Sequence, residues 1–164
     1  MPAAATSALS RPIAAIPSLR TVWGLVLGGA AGLGIWEVFS ATVTDWAAGF
    51  PLQPPELVKS LFSHQLGVTV SQPMAELLHG LTGLLFYPLA YFALSRALPR
   101  VGMPAIGWLW GVITYFIALG LFAPLAGQPF LLLNVPILSF MSLVGHAIYG
   151  YVAALVFEML ERQG

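Results

Sequence analysis

The chain has 164 residues, of which 59% are hydrophobic and only 7% are charged, and its formal net charge is zero. Soluble domains usually carry about 25% charged residues, so this composition excludes an ordinary soluble domain, a disordered protein and a nucleic-acid binder. The chain contains no cysteine, which excludes disulfides, thiolate metal sites and a cysteine nucleophile.

The remaining class is a multi-pass membrane protein, with the lipid bilayer as its surroundings. Residues 1–20 contain two arginines and no acid, which predicts a cytoplasmic N-terminal tail, with an organellar transit peptide as the alternative. A membrane helix needs about 20 apolar residues. Four segments of a single domain, residues 21–160, provide them, at about 21–44, 73–98, 104–123 and 136–159. Pro88 lies inside the second segment and predicts a kink there.

A short amphipathic segment lies between the first two predicted spans, at about residues 54–66. Its apolar residues recur at helical spacing, and polar residues occupy the opposite face. This pattern predicts a helix lying on the outer membrane surface, and the alternative is an ordinary extramembrane loop. The apolar residues are Leu57, Val58, Leu61, Phe62 and Leu66.

The distribution of positive charge predicts the orientation. Five of the six lysines and arginines fall on one predicted side, namely Arg11, Arg20, Arg96, Arg100 and Arg162, and only Lys59 falls on the other. Positively charged loops stay in the cytoplasm. We therefore expect both termini in the cytoplasm of a bacterium, with the bundle in its inner membrane; an organellar membrane is the alternative.

Each predicted span carries a stripe of small or polar residues. Membrane helices associate through small residues that let backbones approach closely. Ordinary helix packing therefore accounts for the glycines at Gly24, Gly28, Gly32, Gly83, Gly107, Gly111 and Gly150. The second and fourth spans also share the pattern His-x-x-x-Gly, at His79 and His146, which hints at a repeat of helix pairs.

Apart from tyrosines, the ionisable residues best placed within or at the outer edge of the spans are Glu37, Glu76, His79 and His146. Such residues are costly in a bilayer and usually face the bundle interior. One interpretation is structural: a neutral histidine hydrogen-bonds across the bundle, with protonated Glu37 as a candidate partner. A second is axial ligation of haem b by both histidines. Counting about 1.5 Å per residue places His146 about 6–10 Å deeper than His79, which counts against this pairing.

A third interpretation is a metal, proton or quinone site. Glu76 and His79 form one Glu-x-x-His pair, half of the motif that di-iron bundles use twice, and Glu37 and His146 are candidate additional ligands. The sequence contains no catalytic-triad order, P-loop, dinucleotide fingerprint or HExxH. Ser142 and His146 are four residues apart but have no acid beside them. We therefore expect a protein that is not an enzyme.

Two segments, LLHGLTGLLFYPLAY and LVGHAIYGYVAALVFE, resemble a family of small four-helix bacterial inner-membrane proteins of unknown function. The resemblance rests on a His-Gly pair in the second span and an H-x-I-Y-G stretch in the fourth. The matching residues are His79, Gly80, Gly83, His146, Ile148, Tyr149 and Gly150. This likeness implies a four-helix bundle and supplies no activity.

The sequence thus predicts an all-α membrane protein with a four-transmembrane-helix bundle and a short outer-side amphipathic surface helix. Its small size and its lack of catalytic motifs favour an accessory or assembly subunit of a larger respiratory or photosynthetic complex, with other membrane subunits as partners and no cofactor. The alternative is a haem b-, metal- or quinone-binding redox subunit that uses His79 and His146. A second alternative is a small transporter with Glu37 as its proton-binding group.

Overall fold

The computed structural model describes residues 16–99 and 101–162. Within these residues the chain is all-helical and has no strand. Apart from a short 3₁₀ helix, Phe130–Leu132, it forms five helices, namely α1 (Leu19–Ala48), α2 (Pro54–Leu66), α3 (Gln72–Ala97), α4 (Met103–Leu125) and α5 (Pro136–Arg162). Most of the predicted N-terminal tail, including Arg11, lies outside the described residues, as does Arg100.

Four of these helices, α1, α3, α4 and α5, are long and apolar enough to cross a membrane. The shortest of them, α4, has 23 residues, which corresponds to about 35 Å at 1.5 Å per residue and exceeds the hydrocarbon core of about 30 Å. The predicted spans are about 21–44, 73–98, 104–123 and 136–159. In the structure the first of these helices continues past its predicted end to Ala48.

Local sequence sets the helix ends. The Ser18 side chain accepts a hydrogen bond from the Thr21 backbone N–H at 3.1 Å and thereby caps α1. Proline occupies the first turn of α2, α3 and α4, where its missing N–H removes no helical hydrogen bond. Gly67 ends α2 with a φ of 66°, a left-handed conformation that suits glycine.

The helix α5 is central, because it packs against both α1 and α4. We call the end at which α1 begins and α5 ends the terminal end, and the opposite end, where α2 lies, the α2 end. A tightly packed core fills the terminal end, and a smaller cluster lies near the end of α4. The buried core residues are Leu25, Tyr91, Ile106, Trp110, Ala154 and Phe157, and those of the smaller cluster are Tyr115, Leu119 and Ala123.

The contact between α4 and α5 depends on glycine. A Cβ atom on Gly107 would lie 2.6 Å from the Ala154 Cβ, and one on Gly150 would lie 2.5 Å from the Gly111 nitrogen. Both distances are shorter than any van der Waals contact, so the two backbones pack directly against each other. All seven glycines named as packing residues are buried.

The helix α3 changes its winding before Pro88. Where the sequence predicts a kink, the structure has a π-helical turn, Thr82–Phe86, immediately ahead of the proline. Proline has no N–H, so carbonyl groups of the preceding turn lose their partner. One of them, the Gly83 carbonyl, accepts a hydrogen bond of 2.6 Å from the Tyr149 hydroxyl of α5. Gly29 of α1 packs against the same turn, where a Cβ would lie 2.7 Å from the Leu84 oxygen.

Substituting Tyr149 by phenylalanine tests this contact between helices. Tyr149→Phe leaves the Gly83 carbonyl without its partner, and we expect the free energy of unfolding to fall by about 1 kcal/mol. The measurement is a titration of the micelle-bound protein with sodium dodecyl sulfate. Tyr151→Phe is the matched control, because Tyr151 stacks on Trp108 and its ring remains. Equal loss of stability in the two variants would contradict the role of this hydrogen bond.

Candidate functional site

The α2 end of the bundle contains a cavity of about 730 Å³. This volume falls within the range of about 300–1,000 Å³ that is typical of small-molecule sites. All five helices contribute lining residues, and most of the lining surface is apolar. The cavity extends from beneath α2 to the middle of the bundle, where Tyr87 and Tyr149 line it.

The course of α3 creates this space. Its π-helical turn, Thr82–Phe86, packs against α1, but its first part, Gln72–Leu81, packs mainly against α2. The first part of α3 therefore stands apart from α4 and α5, and α2 covers the resulting gap. The Gln65 side chain fixes α2 by donating a hydrogen bond of 2.6 Å to the Leu125 carbonyl at the end of α4. The Ser40 side chain of α1 donates a hydrogen bond of 2.9 Å to the Leu52 carbonyl in the segment before α2.

The predicted amphipathic helix is present as α2, over Pro54–Leu66. Its apolar side chains line the cavity of the bundle, whereas the sequence pattern predicted that they would rest on the membrane surface. The lining residues among them are Leu57, Val58, Leu61 and Phe62. The amphipathic pattern is the same for both arrangements, because a helix that covers an apolar cavity also needs one apolar face.

Two candidate residues, His79 of α3 and His146 of α5, both line this cavity. The buried Trp36 of α1 lies against both, with ring-centroid distances of 5.5 Å to His79 and 6.1 Å to His146. The estimated difference in depth therefore does not separate the two imidazoles into different sites. Tyr115 of α4 adds a further aromatic neighbour at 6.3 Å from His146.

A hydrogen bond within its own helix determines which ring nitrogen of His146 carries the proton. Its Nδ1 lies 2.8 Å from the Ser142 carbonyl oxygen, which can only accept a hydrogen bond. Nδ1 therefore carries the proton, and in the neutral ring Nε2 is a hydrogen-bond acceptor. Nε2 makes no hydrogen bond to any of the described residues. A cavity ligand can therefore donate to this nitrogen.

His79 is paired with Glu37 of α1. The distance between His79 Nε2 and Glu37 Oε1 is 3.2 Å. The Glu37 side chain is 54% exposed, whereas that of His79 is 22% exposed, and Glu37 is outside the set of lining residues. His79 thus lines the cavity and at the same time pairs with a carboxyl group on the exposed face of α1. An ionised Glu37 accepts from Nε2–H, which leaves Nδ1 of His79 as the ring atom without a partner in the described chain.

Glu76, the fourth candidate, does not join this group. Its carboxylate accepts a hydrogen bond of 3.0 Å from Gln72 on the same exposed face of α3. Among residues 16–99 and 101–162, no three histidine or acidic side chains come together to hold a metal ion. The proposed ligand set of Glu37, Glu76, His79 and His146 is therefore divided between the cavity and the surface.

Sequence reasoning did not select Trp36, Tyr87 or Tyr149 as site residues. Trp36 continues the four-residue stripe of Gly28 and Gly32, and this extension was the available signal. A tryptophan in line with packing glycines indicates a large side chain that faces the bundle. Tyr87 likewise continues the four-residue stripe of His79 and Gly83, which places it on the same face of its helix.

Comparison with known proteins gives a family without an assigned activity. No curated protein and no solved structure matches the chain significantly. A family model described as a family of unknown function, DUF6789, matches residues 19–164 and thus all five helices. The chain belongs to this family of unknown function, DUF6789.

Proposed function

We propose that the protein is a non-enzymatic membrane protein that binds a lipid-soluble small molecule in the cavity beneath α2. The observation that carries this proposal is the cavity itself, at about 730 Å³ with mainly apolar walls and two histidines. A largely apolar cavity with a few convergent polar groups is the usual form of a small-molecule site. A packed bundle without a ligand would be expected to fill such a volume with side chains.

We also propose that the bundle lies in a bacterial inner membrane with its terminal end toward the cytoplasm. Arg20, Arg96 and Arg162 lie at the terminal end, and Lys59 lies on α2. This asymmetry supports the orientation through the preference of positive residues for the cytoplasmic side. The cavity then opens toward the outer half of the bilayer.

Ligation of haem b by both histidines is less well supported than binding of an organic ligand. His146 has a free Nε2, as an axial ligand requires, but His79 directs its Nε2 to Glu37 at 3.2 Å. An iron atom bound by His79 would need the more hindered Nδ1 or the loss of that contact. The accessory-subunit role in a respiratory or photosynthetic complex, and the transporter role for Glu37, stay predictions.

A substitution that fills the cavity tests the proposed function. Leu138 of α5 lines the cavity, and Leu138→Trp places a bulky ring in the space. In lipid nanodiscs, the affinity for the apolar fluorophore N-phenyl-1-naphthylamine, measured as saturable binding, should fall at least about tenfold. This factor corresponds to a loss of about 1.4 kcal/mol of binding free energy. Empty nanodiscs give the background from partitioning into lipid.

Phe140→Trp is the matched control, because Phe140 lies two residues away on α5 and is 57% exposed. This variant should bind the fluorophore as the wild type does. Thermal unfolding of both variants shows whether the bundle is intact. The proposal would be overturned if the wild type showed no saturable binding, or if a folded Leu138→Trp bound the fluorophore as tightly as the wild type does.

A further inference from the structure

We infer that the ligand of this cavity is a quinol or quinone with an apolar tail, and that its ring lies between His79 and His146. This inference rests on the proposed function and names the chemical class of the ligand. It depends on five features of the cavity, namely the free nitrogen of His146, the pairing of His79 with Glu37, the aromatic walls, the lack of cationic groups among the described lining residues and the apolar extension.

The first feature is the free nitrogen of His146. Its Nδ1–H is committed to the Ser142 carbonyl at 2.8 Å, so Nε2 offers a lone pair inside an apolar cavity. An acceptor in such surroundings gains most from a ligand that donates an O–H group, because a hydrogen bond is stronger where the local dielectric constant is low. A hydroquinone hydroxyl is such a donor.

The second feature is the pairing of His79 with Glu37. The carboxyl group of Glu37, 3.2 Å from Nε2, holds the imidazole in place. The remaining Nδ1 then either accepts from a hydroxyl or, when protonated, donates to a carbonyl. His79 can therefore hydrogen-bond to a ligand oxygen that is either a hydroxyl or a carbonyl. His146 can only accept, so its partner is a ligand hydroxyl.

The third feature is the set of flat aromatic walls. Trp36 lies against both imidazoles, at 5.5 Å and 6.1 Å between ring centroids. Tyr87 and Tyr149 pack edge to face with each other at 6.1 Å and close the inner end of the cavity. Aromatic side chains pack well against a planar ring. A ligand with a ring at its polar end fits these walls better than a flexible chain does.

The fourth feature is the charge of the lining. Among the described residues that line the cavity there is no lysine or arginine, and the one acid, Glu56, pairs with Lys59 at 2.8 Å. A carboxylate or phosphate head group would have no cationic partner here, and burying such a group is costly. The ligand head group is therefore neutral and hydrogen-bonds at two sides.

The apolar extension accounts for the tail. From the histidines toward α2 the lining is formed mostly by leucine, phenylalanine and valine of α2, α4, α5 and the segment before α5, among them Leu61, Leu119, Phe122, Leu132 and Val135. An alkyl or isoprenoid tail makes van der Waals contacts with these groups and brings no polar atom that would lack a partner there.

The test uses two probes that share an apolar tail but differ in the head group. Decylubiquinol carries two hydroxyl groups, and decylbenzene carries the same tail on a ring without oxygen. We expect wild-type protein in nanodiscs to bind decylubiquinol at least about tenfold more tightly than decylbenzene. In His146→Phe this preference should fall about tenfold, because one buried hydrogen bond to the ligand is lost.

Two further variants complete the design. Glu37→Gln keeps the shape of the side chain but replaces the carboxyl group beside His79 by an amide, which holds the imidazole less strongly, so the preference for decylubiquinol should also fall. His64→Phe is the control, because His64 is exposed, its Nδ1 lies 3.0 Å from the Ser60 carbonyl and it is outside the cavity lining. This control should keep the wild-type preference.

The outcomes separate this inference from the proposed function. Failure of the wild type to bind either probe, together with failure to bind the fluorophore, would remove the proposed function and this inference with it. Equal affinity for the two probes would leave an apolar site but overturn the quinol assignment. A preference that survives in folded His146→Phe and Glu37→Gln would overturn the assigned ring position. If His146→Phe does not fold, Glu37→Gln alone decides.

Discussion

Substitution of Gly111 by alanine is expected to lower the free energy of unfolding by about 2–3 kcal/mol, the upper range for overpacking a tightly packed interface. A methyl group at this position would lie against the His146 carbonyl oxygen and 2.6 Å from the Ala147 Cα. Both atoms belong to the backbone of α5, so no side-chain rotation relieves the overlap. Titration with sodium dodecyl sulfate, followed by tryptophan fluorescence, measures the change.

Gly34→Ala supplies the comparison for Gly111→Ala. Gly34 also lies inside a long helix, but a Cβ there has no neighbour within 4 Å. Alanine favours helix by about 1 kcal/mol over glycine, so this variant should be as stable as the wild type or slightly more stable. If both alanines had the same effect, close backbone packing between α4 and α5 would not be what holds these helices together.

Substitution of Trp36 by alanine is expected to cost about 3–5 kcal/mol, the range for removing a large buried aromatic ring. Trp36 is 5% exposed and contacts both cavity histidines. Its indole also packs on α5, where a Cβ at Gly145 would lie 3.0 Å from the indole nitrogen. Loss of the ring enlarges the cavity and removes the shared neighbour of His79 and His146. Thermal unfolding in micelles measures the loss.

Trp23→Ala removes the same ring from the same helix at an exposed position. Trp23 is 60% exposed, so its loss should change the stability in micelles much less than that of Trp36. Similar melting temperatures for the two variants would show that Trp36 does not stabilise the bundle through its contacts at the cavity.

The long helices and the short helix were predictable because their signals are local. Apolar length and flanking prolines indicate where a helix can begin and span, and the amphipathic segment at 54–66 follows from residue spacing alone. The packing stripe of glycines on α4 is equally local, since Gly107 and Gly111 are four residues apart on one face. These features need no knowledge of neighbouring helices.

The cavity could not be predicted, because it results from the way α3 departs from its neighbours. The π-helical turn Thr82–Phe86 and the covering position of α2 are tertiary features. The depth estimate for His79 and His146 counted residues from each helix's own end. Helix ends do not lie at one common level, so the estimate could not show that both rings contact Trp36.

The hydrogen bond from Tyr149 to the Gly83 carbonyl has a consequence for assembly in the membrane. The backbone of α3 completes its hydrogen bonding only when α5 is beside it, and α5 is the last of these helices to leave the ribosome. Lipid offers no substitute donor. In a bilayer the first three long helices would therefore form an incomplete set until α5 packs against α1 and α4 at the same time.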